Sequence, residues 1–138
     1  MKETRRFTIP GKPCGKGRPR FVRMGNFVKT YTPKATASYE NLVKLSYIGA
    51  CRQPAYPAGV PLRLSVVAYF EIPKSWSKKR KAETVWHTSK PDGDNIAKIM
   101  DALNGIAWHD DSQVAILHVE KRMTDGQPRT EVEIGGVQ

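Results

Sequence analysis

The 138-residue sequence predicts an α+β fold, a mixed β-sheet flanked by helices, in a single small domain covering residues 1–138. Three observations lead there. Apolar and polar residues alternate from Leu62 to Ile72, two other segments repeat with helical spacing, and strands and helices follow one another without regular alternation. With 39% hydrophobic and 26% charged residues, the chain can bury a modest core and is not disordered in composition.

Arg6 to Ile9 reads as a short strand closed by Pro10-Gly11. Gly11 to Arg20 mixes glycines with basic residues and reads as a mobile basic loop. Phe21-Val22 and Phe27-Val28 flank Met24-Gly25-Asn26 as a hairpin would. A helix then opens with Thr32 as N-cap and Pro33 at the first helical position, continues through Ala35, Tyr39, Leu42, Val43 and Tyr47, and stops near Gly49. Gln53 to Pro61 is Pro-rich loop. Leu62, Leu64, Val66, Ala68, Phe70 and Ile72 give the clearest strand one wholly apolar face, and Pro73 ends it. Ser75 or Ser77 caps a short basic helix running toward Val85. Gln113 to Glu120 is nearly all apolar and reads as a strand buried on both faces, and Thr130 to Ile134 as a half-exposed final strand.

The net charge of +10 is unevenly spread. Residues 1–34 hold ten basic side chains and one acid, and residues 74–90 hold six against one. Residues 91–111 reverse the sign, with five aspartates against Lys98. Basic segments ahead of an acidic cluster suit a protein that grips a phosphate backbone and presents metal to it; the plainer reading is a solvated basic surface with acids capping a helix. No apolar run approaches a membrane span, the N-terminus lacks the apolar core of a signal peptide, and Cys14 and Cys51 are too few for a disulfide framework or a four-ligand zinc site. A cytoplasmic protein with a polyanionic partner, no membrane association and no organic cofactor is expected.

Ile96, Ile99, Met100 and Leu103 follow the i, i+3, i+4, i+7 template of an amphipathic helix, with Asp94 or Asn95 as its cap and Gly105 as its stop. Asp94, Lys98 and Asp101 fall on the opposite face, and Asp92 precedes the helix where backbone amides favour anions. A strand entering beside the helix start would bring Asp110 or Asp111 close to Asp92 and Asp94. Converging carboxylates repel one another, and a divalent cation relieves the repulsion; oxygen ligands select Mg2+ or Mn2+ over zinc. Two such ions about 4 Å apart can cut a phosphodiester, with Lys98 steadying the phosphate. The same residues also read as ordinary turn, cap and i, i+4 chemistry. A calcium loop is excluded, because Ala97 and Leu103 stand where it needs Gly and Glu. A restriction-type nuclease site is excluded because Ile96 and Val119, not acids, lie two residues before Lys98 and Lys121. His87, His109 and His118 lie in different elements and form no joint metal site.

The run Lys90-Pro91-Asp92-x-Asp94-Asn95-x-x-Lys98-x-x-x-Asp101-Ala102-Leu103-Asn104-Gly105, followed by Trp108-x-Asp110-Asp111-x-Gln113-Val114, resembles the RusA-type crossover-junction endodeoxyribonucleases, a family common in phages and prophages. Two weaker stretches extend the likeness: Lys16-Gly17-Arg18-Pro19-Arg20-Phe21 with Tyr31-Thr32-Pro33, and Ile72-Pro73-Lys74-Ser75-Trp76-Ser77 with the basic run after it. The resemblance implies a RusA-like mixed sheet flanked by helices, a two-fold homodimer and Mg2+-dependent paired nicking of four-way DNA junctions, with Mn2+ as a substitute. It puts the metal-binding carboxylates on Asp92, Asp94 and Asp111, with Asp110 as the other candidate of its pair, and the essential lysine on Lys98. Asp101 and Asn104 fit the motif, with a structural role at least as well matched. Lys16, Arg18, Arg20, Arg23, Lys78, Lys79, Arg80 and Lys81 are then expected to hold DNA backbones, and Trp76 either stacks on a base or anchors locally. Two alternatives stand beside this: a non-catalytic branched-DNA-binding protein with structural carboxylates, and the same chemistry directed at forks or flaps.

Overall fold

A computed structural model describes residues 4–18, 20–31 and 33–137, with Arg20 described by its backbone alone. Four strands form one mixed sheet: β1 (Arg5–Pro10), β4 (Leu62–Glu71), β5 (Val114–Thr124) and β6 (Arg129–Gly136), in the order β1-β6-β4-β5. The β1–β6 and β6–β4 pairs are antiparallel and β4–β5 is parallel, with Val66 opposite both Val132 and Val119. β2 (Arg20–Met24) and β3 (Phe27–Tyr31) form a separate antiparallel hairpin whose β3 residues are all exposed. Helices complete the α+β class read from the sequence: α1 (Lys34–Ala50), α2 (Lys78–Glu83) and α3 (Gly93–Lys98), the last running on into a 3-10 turn at Ile99–Leu103.

The alternation in β4 puts Leu62, Leu64, Val66, Ala68 and Phe70 on one buried face. Phe7, Ile9, Val132 and Ile134 extend it across the sheet, and Tyr39, Val43 and Tyr47 of α1 share the same core with Ile96, Ile99, Met100, Leu103 and Trp108. A six-residue helix such as α3 is far too short to persist alone. The large buried side chains Ile96, Ile99, Met100 and Leu103 of α3 and its 3-10 extension, each worth roughly 1.5–3 kcal/mol, supply what propensity cannot. Among the described residues no helix is long and apolar enough to cross a membrane.

Several expectations are corrected. β5 is not buried on both faces: it is an edge strand, with Ile116 and Leu117 41% and 53% exposed. An apolar run reports β-propensity and burial together, and here α3 reaches the strand at Val119 while Ala115 to His118 stay exposed. Pro33 is the non-helical cap of α1 rather than its first helical residue, with ψ 142°. Thr32, read as the N-cap, lies outside the described residues, as do Pro19 of the basic motif and the side chain of Arg20. The cap of α3 is Asp92, two residues earlier than Asp94. The segment 11–18 is pinned rather than mobile. Lys16 N donates to Asn95 O at 2.9 Å, and Gly17 N donates to Thr36 Oγ1 at 3.0 Å. A Cβ on Gly15 would sit 2.8 Å from Pro91 Cβ, so the glycine there serves close approach rather than freedom.

Candidate active site

Every carboxylate of the acidic cluster lies in the crossover that joins β4 to its parallel partner β5, a connection that parallel pairing requires to be long. The crossover reaches the cluster through a cis Lys90–Pro91 bond, and Lys121 of β5 fixes the approach by donating to Ser89 O at 2.7 Å and Pro91 O at 2.8 Å. Asp92 then caps α3 with its backbone carbonyl, which accepts from Ile96 N at 3.1 Å, while its carboxylate makes no capping bond. One turn on, Asp94 Oδ2 lies 3.7 Å from Lys98 Nζ, both well exposed.

At Ile99 the helix tightens to 3-10 geometry, which swings Asp101 toward the segment 11–18, and Lys16 Nζ lies 3.4 Å from its Oδ2 and 3.7 Å from Glu40 Oε2. Gly105, at φ +79°, ends the turn. Trp108 is fully buried and donates from Nε1 to Asn104 Oδ1 at 2.6 Å, so Asn104 is spent on structure.

Asp110 and Asp111 go different ways. Asp110 caps a single 3-10 turn, Asp111–Gln113, accepting from Ser112 N at 3.1 Å, and bonds from Ser112 hold its pKa below the usual carboxylate range. Asp111 turns toward Asp101; the hydrogen bond between the two carboxyls, then partial burial and the charges of Asp101 and Asp110, push its pKa up. Asp94, Lys98, Asp101 and Asp111 thus line one cavity of about 290 Å³, floored by Met100, Trp108 and Val114. Asp92 is not among its lining residues, and among the described residues no three potential ligands already enclose a metal position. The donor chemistry suits a hard cation all the same: the set is all carboxylate, and its unrelieved repulsion is visible in the raised pKa of Asp111.

The profile of the Endodeoxyribonuclease RusA family matches residues 10–135. The chain belongs to this family. It is also 36% identical over 136 residues to the uncharacterised protein YqaN of Bacillus subtilis (strain 168), covering 94% of each chain. It is 27% identical to the crossover junction endodeoxyribonuclease rusA of Lactococcus phage r1t, covering 97% of this chain and 98% of that one. Membership in the RusA family makes the chain an endodeoxyribonuclease and sets aside the non-catalytic alternative.

The structure scatters the basic residues expected at DNA. Lys78, Lys79 and Arg80 are exposed on α2, which buries nothing, while Arg80 lies over the Trp76 ring, 3.8 Å from its centroid. Arg18 and Arg23 are exposed, whereas Lys16 is drawn in between Glu40 and Asp101. Two participants were not assigned from sequence. Asp101 reaches the cavity because the helix changes pitch. Gln113 accepts from His109 N at 2.9 Å and Asp110 N at 3.2 Å, and donates to Pro57 O at 2.9 Å and Val60 O at 3.1 Å. Through that clamp the Pro-rich loop braces the aspartate turn. The only sequence signal for it was the position of Gln113 inside the motif.

Proposed function

We propose that this endodeoxyribonuclease is Mg2+-dependent and resolves four-way DNA junctions by paired symmetric nicks, acting as a homodimer. The observation that carries the reading is the convergence of Asp94, Lys98, Asp101 and Asp111 on one cavity. The name of the Lactococcus phage relative supports the junction as substrate.

Asp92, Asp94 and Asp111 are the residues that would hold the metal, with Asp101 pressed against Asp111. A bound divalent cation supplies Lewis acidity toward phosphate and a more acidic water. The chain's own residues do the rest. A cation held by Asp111 would relieve its crowding against Asp101, and Lys16 keeps Asp101 in place through an ion pair at 3.4 Å. Lys98 neutralises Asp94 in the resting site and stands within reach of a phosphate entering the cavity. Asp110, engaged by Ser112, holds the turn rather than the metal. Exposed Arg18, Arg23, Lys78 and Lys79 offer the charge for backbone contacts, and Arg20 joins them by its place on β2. Two symmetric cuts call for two sites, which a two-fold dimer supplies.

The test is cleavage of a synthetic four-way junction with and without Mg2+, comparing wild type with Asp94→Asn and Asp111→Asn and using duplex and single strands as controls. Symmetric nicks that need metal and vanish in both variants, with junction binding retained in EDTA, are expected. Equal cutting of linear duplex would overturn the junction assignment, and full activity of Asp111→Asn would overturn the site.

A further inference from the structure

The second large cavity, about 540 Å³, lies away from the carboxylates and has no part in the chemistry above. It opens at the end of β4, at Phe70 and Glu71, and is closed by the segment 84–89, which runs along the edge of β5. Met123 N donates to Val85 O at 2.8 Å, Trp86 bridges Arg122, and His87 N donates to Lys121 O at 2.9 Å. This pairing presents two indoles at one opening, Trp76 and the 53% exposed Trp86. Each lies against a guanidinium: Arg80 is 3.8 Å from the Trp76 centroid, and Arg122 is 4.5 Å from that of Trp86. Lys12 joins Arg80 as the second cation of the lining, against the single carboxylate of Glu71. Deeper in, the His87 ring stacks flat on Phe70, with centroids 3.6 Å apart, and its Nδ1 is buried with no hydrogen-bond partner among the described residues.

Each feature narrows the ligand. Two indoles lining a cavity of this size, Trp86 exposed and Trp76 half-buried, fit a flat aromatic group. Lys12 and Arg80 outweigh Glu71 in the lining and favour a ligand that carries phosphate. An unsatisfied ring nitrogen asks for a polar edge, which a hydrocarbon lacks and a nucleobase has. Burial and the nearby Lys121 and Lys12 hold His87 neutral, so its ring keeps one donor and one acceptor. From His87 the chain needs only five residues to reach Asp92, a span of at most about 17 Å. On a DNA strand that is a few nucleotides.

We propose that this cavity binds one unpaired nucleotide of the DNA strand, its base on Trp86 and Trp76 and its phosphate against Lys12 and Arg80, a few nucleotides from the position of cleavage. The site is a reader of unpaired bases beside the cutting site, and it rests on the reading that DNA is the substrate. Duplex DNA does not fill it, because stacked and paired bases offer no free face.

The experiment uses full-length protein in EDTA, so no cleavage enters and failure of the metal chemistry leaves the result unaffected. Titration with a short thymidine oligonucleotide is followed by tryptophan fluorescence and by anisotropy, against the same oligonucleotide with abasic positions. Quenching and about ten-fold tighter binding of the base-bearing strand are expected, a difference that collapses in Trp86→Ala and is largely restored in Trp86→Phe. Equal affinity for the abasic strand, which carries the same phosphates, would overturn the proposal with no variant required. A base-dependent difference that survives in Trp86→Ala would also overturn it, pointing to the exposed aromatics of the β2–β3 hairpin instead. Displacement of the oligonucleotide by an equal concentration of thymidine monophosphate would overturn it as well, transferring the cavity from DNA to a free nucleotide.

Discussion

Asp110 and Asp111 are neighbours in sequence with opposite titration shifts, Asp110 lowered by bonds from Ser112 and Asp111 raised by Asp101. A raised carboxyl means that the folded chain binds a proton the unfolded chain has released. Stability is therefore lost as pH rises above the ordinary value of 3.8. Asp111→Asn should raise Tm in EDTA at neutral pH by a few degrees at most, and the gap should close in acid, where both forms are uncharged; differential scanning calorimetry across pH reads both. The same variant should be inactive, so the repulsion that weakens the metal-free protein is the feature its chemistry needs. Gln113 spends its whole side-chain amide on four backbone groups. Gln113→Ala should cut junction cleavage by about 10- to 100-fold, with junction affinity in EDTA nearly unchanged, as for a residue that positions a ligand without touching substrate. This clamp was not legible in the sequence, because two of its partners, Pro57 and Val60, are carbonyls of a distant loop with no motif of its own.

At the level of elements, periodicity was a sound guide wherever one packing surface decides burial. The alternation in β4 and the Ile96, Ile99, Met100, Leu103 stripe both face the core. It misled where neighbours decide, as in β5, whose place in the sheet no local pattern reveals. The change from α to 3-10 geometry at Ile99 was equally invisible, and with it the approach of Asp101 to Asp111. The glycines of the two packed segments differ in kind. A methyl added to Gly93 in α3 would have only Val119 near it, 3.8 Å away, so Gly93→Ala should leave cleavage intact and stabilise by about 0.5–1 kcal/mol in chemical denaturation. Gly15→Ala meets Pro91 Cβ at 2.8 Å and Asn95 Cβ at 3.0 Å. It should push segment 11–18 off α3, take Lys16 away from Asp101 and lower both Tm and turnover.

For the whole molecule, the β5 edge of the sheet is closed along one half and open along the other. Residues 85–87 cover the far half of the β5 edge, and no described residue pairs with the near half, where Ile116 and Leu117 are exposed. An unpaired, apolar edge of this kind favours association with a second strand. If it is the dimer contact, Ile116→Lys should shift sedimentation velocity from dimer to monomer and turn paired nicking into single nicks on one strand.

The strand order β1-β6-β4-β5 has a consequence for how the enzyme is made. Among the described residues the strand latest in sequence is an inner one: β6 lies between β1 and β4, so the sheet is incomplete until residue 136 has been synthesised. The crossover carrying every candidate ligand is held at one end by β4, and β4 is half-paired until then. Such non-local pairing forms late. A nascent chain not yet extended through β6 has the aspartates of the crossover and no assembled site, and a polypeptide cut short before Arg129 should show neither protection of β4 amides from hydrogen exchange nor any nicking of DNA. A nuclease built this way stays harmless to the DNA around it until β6 is in place.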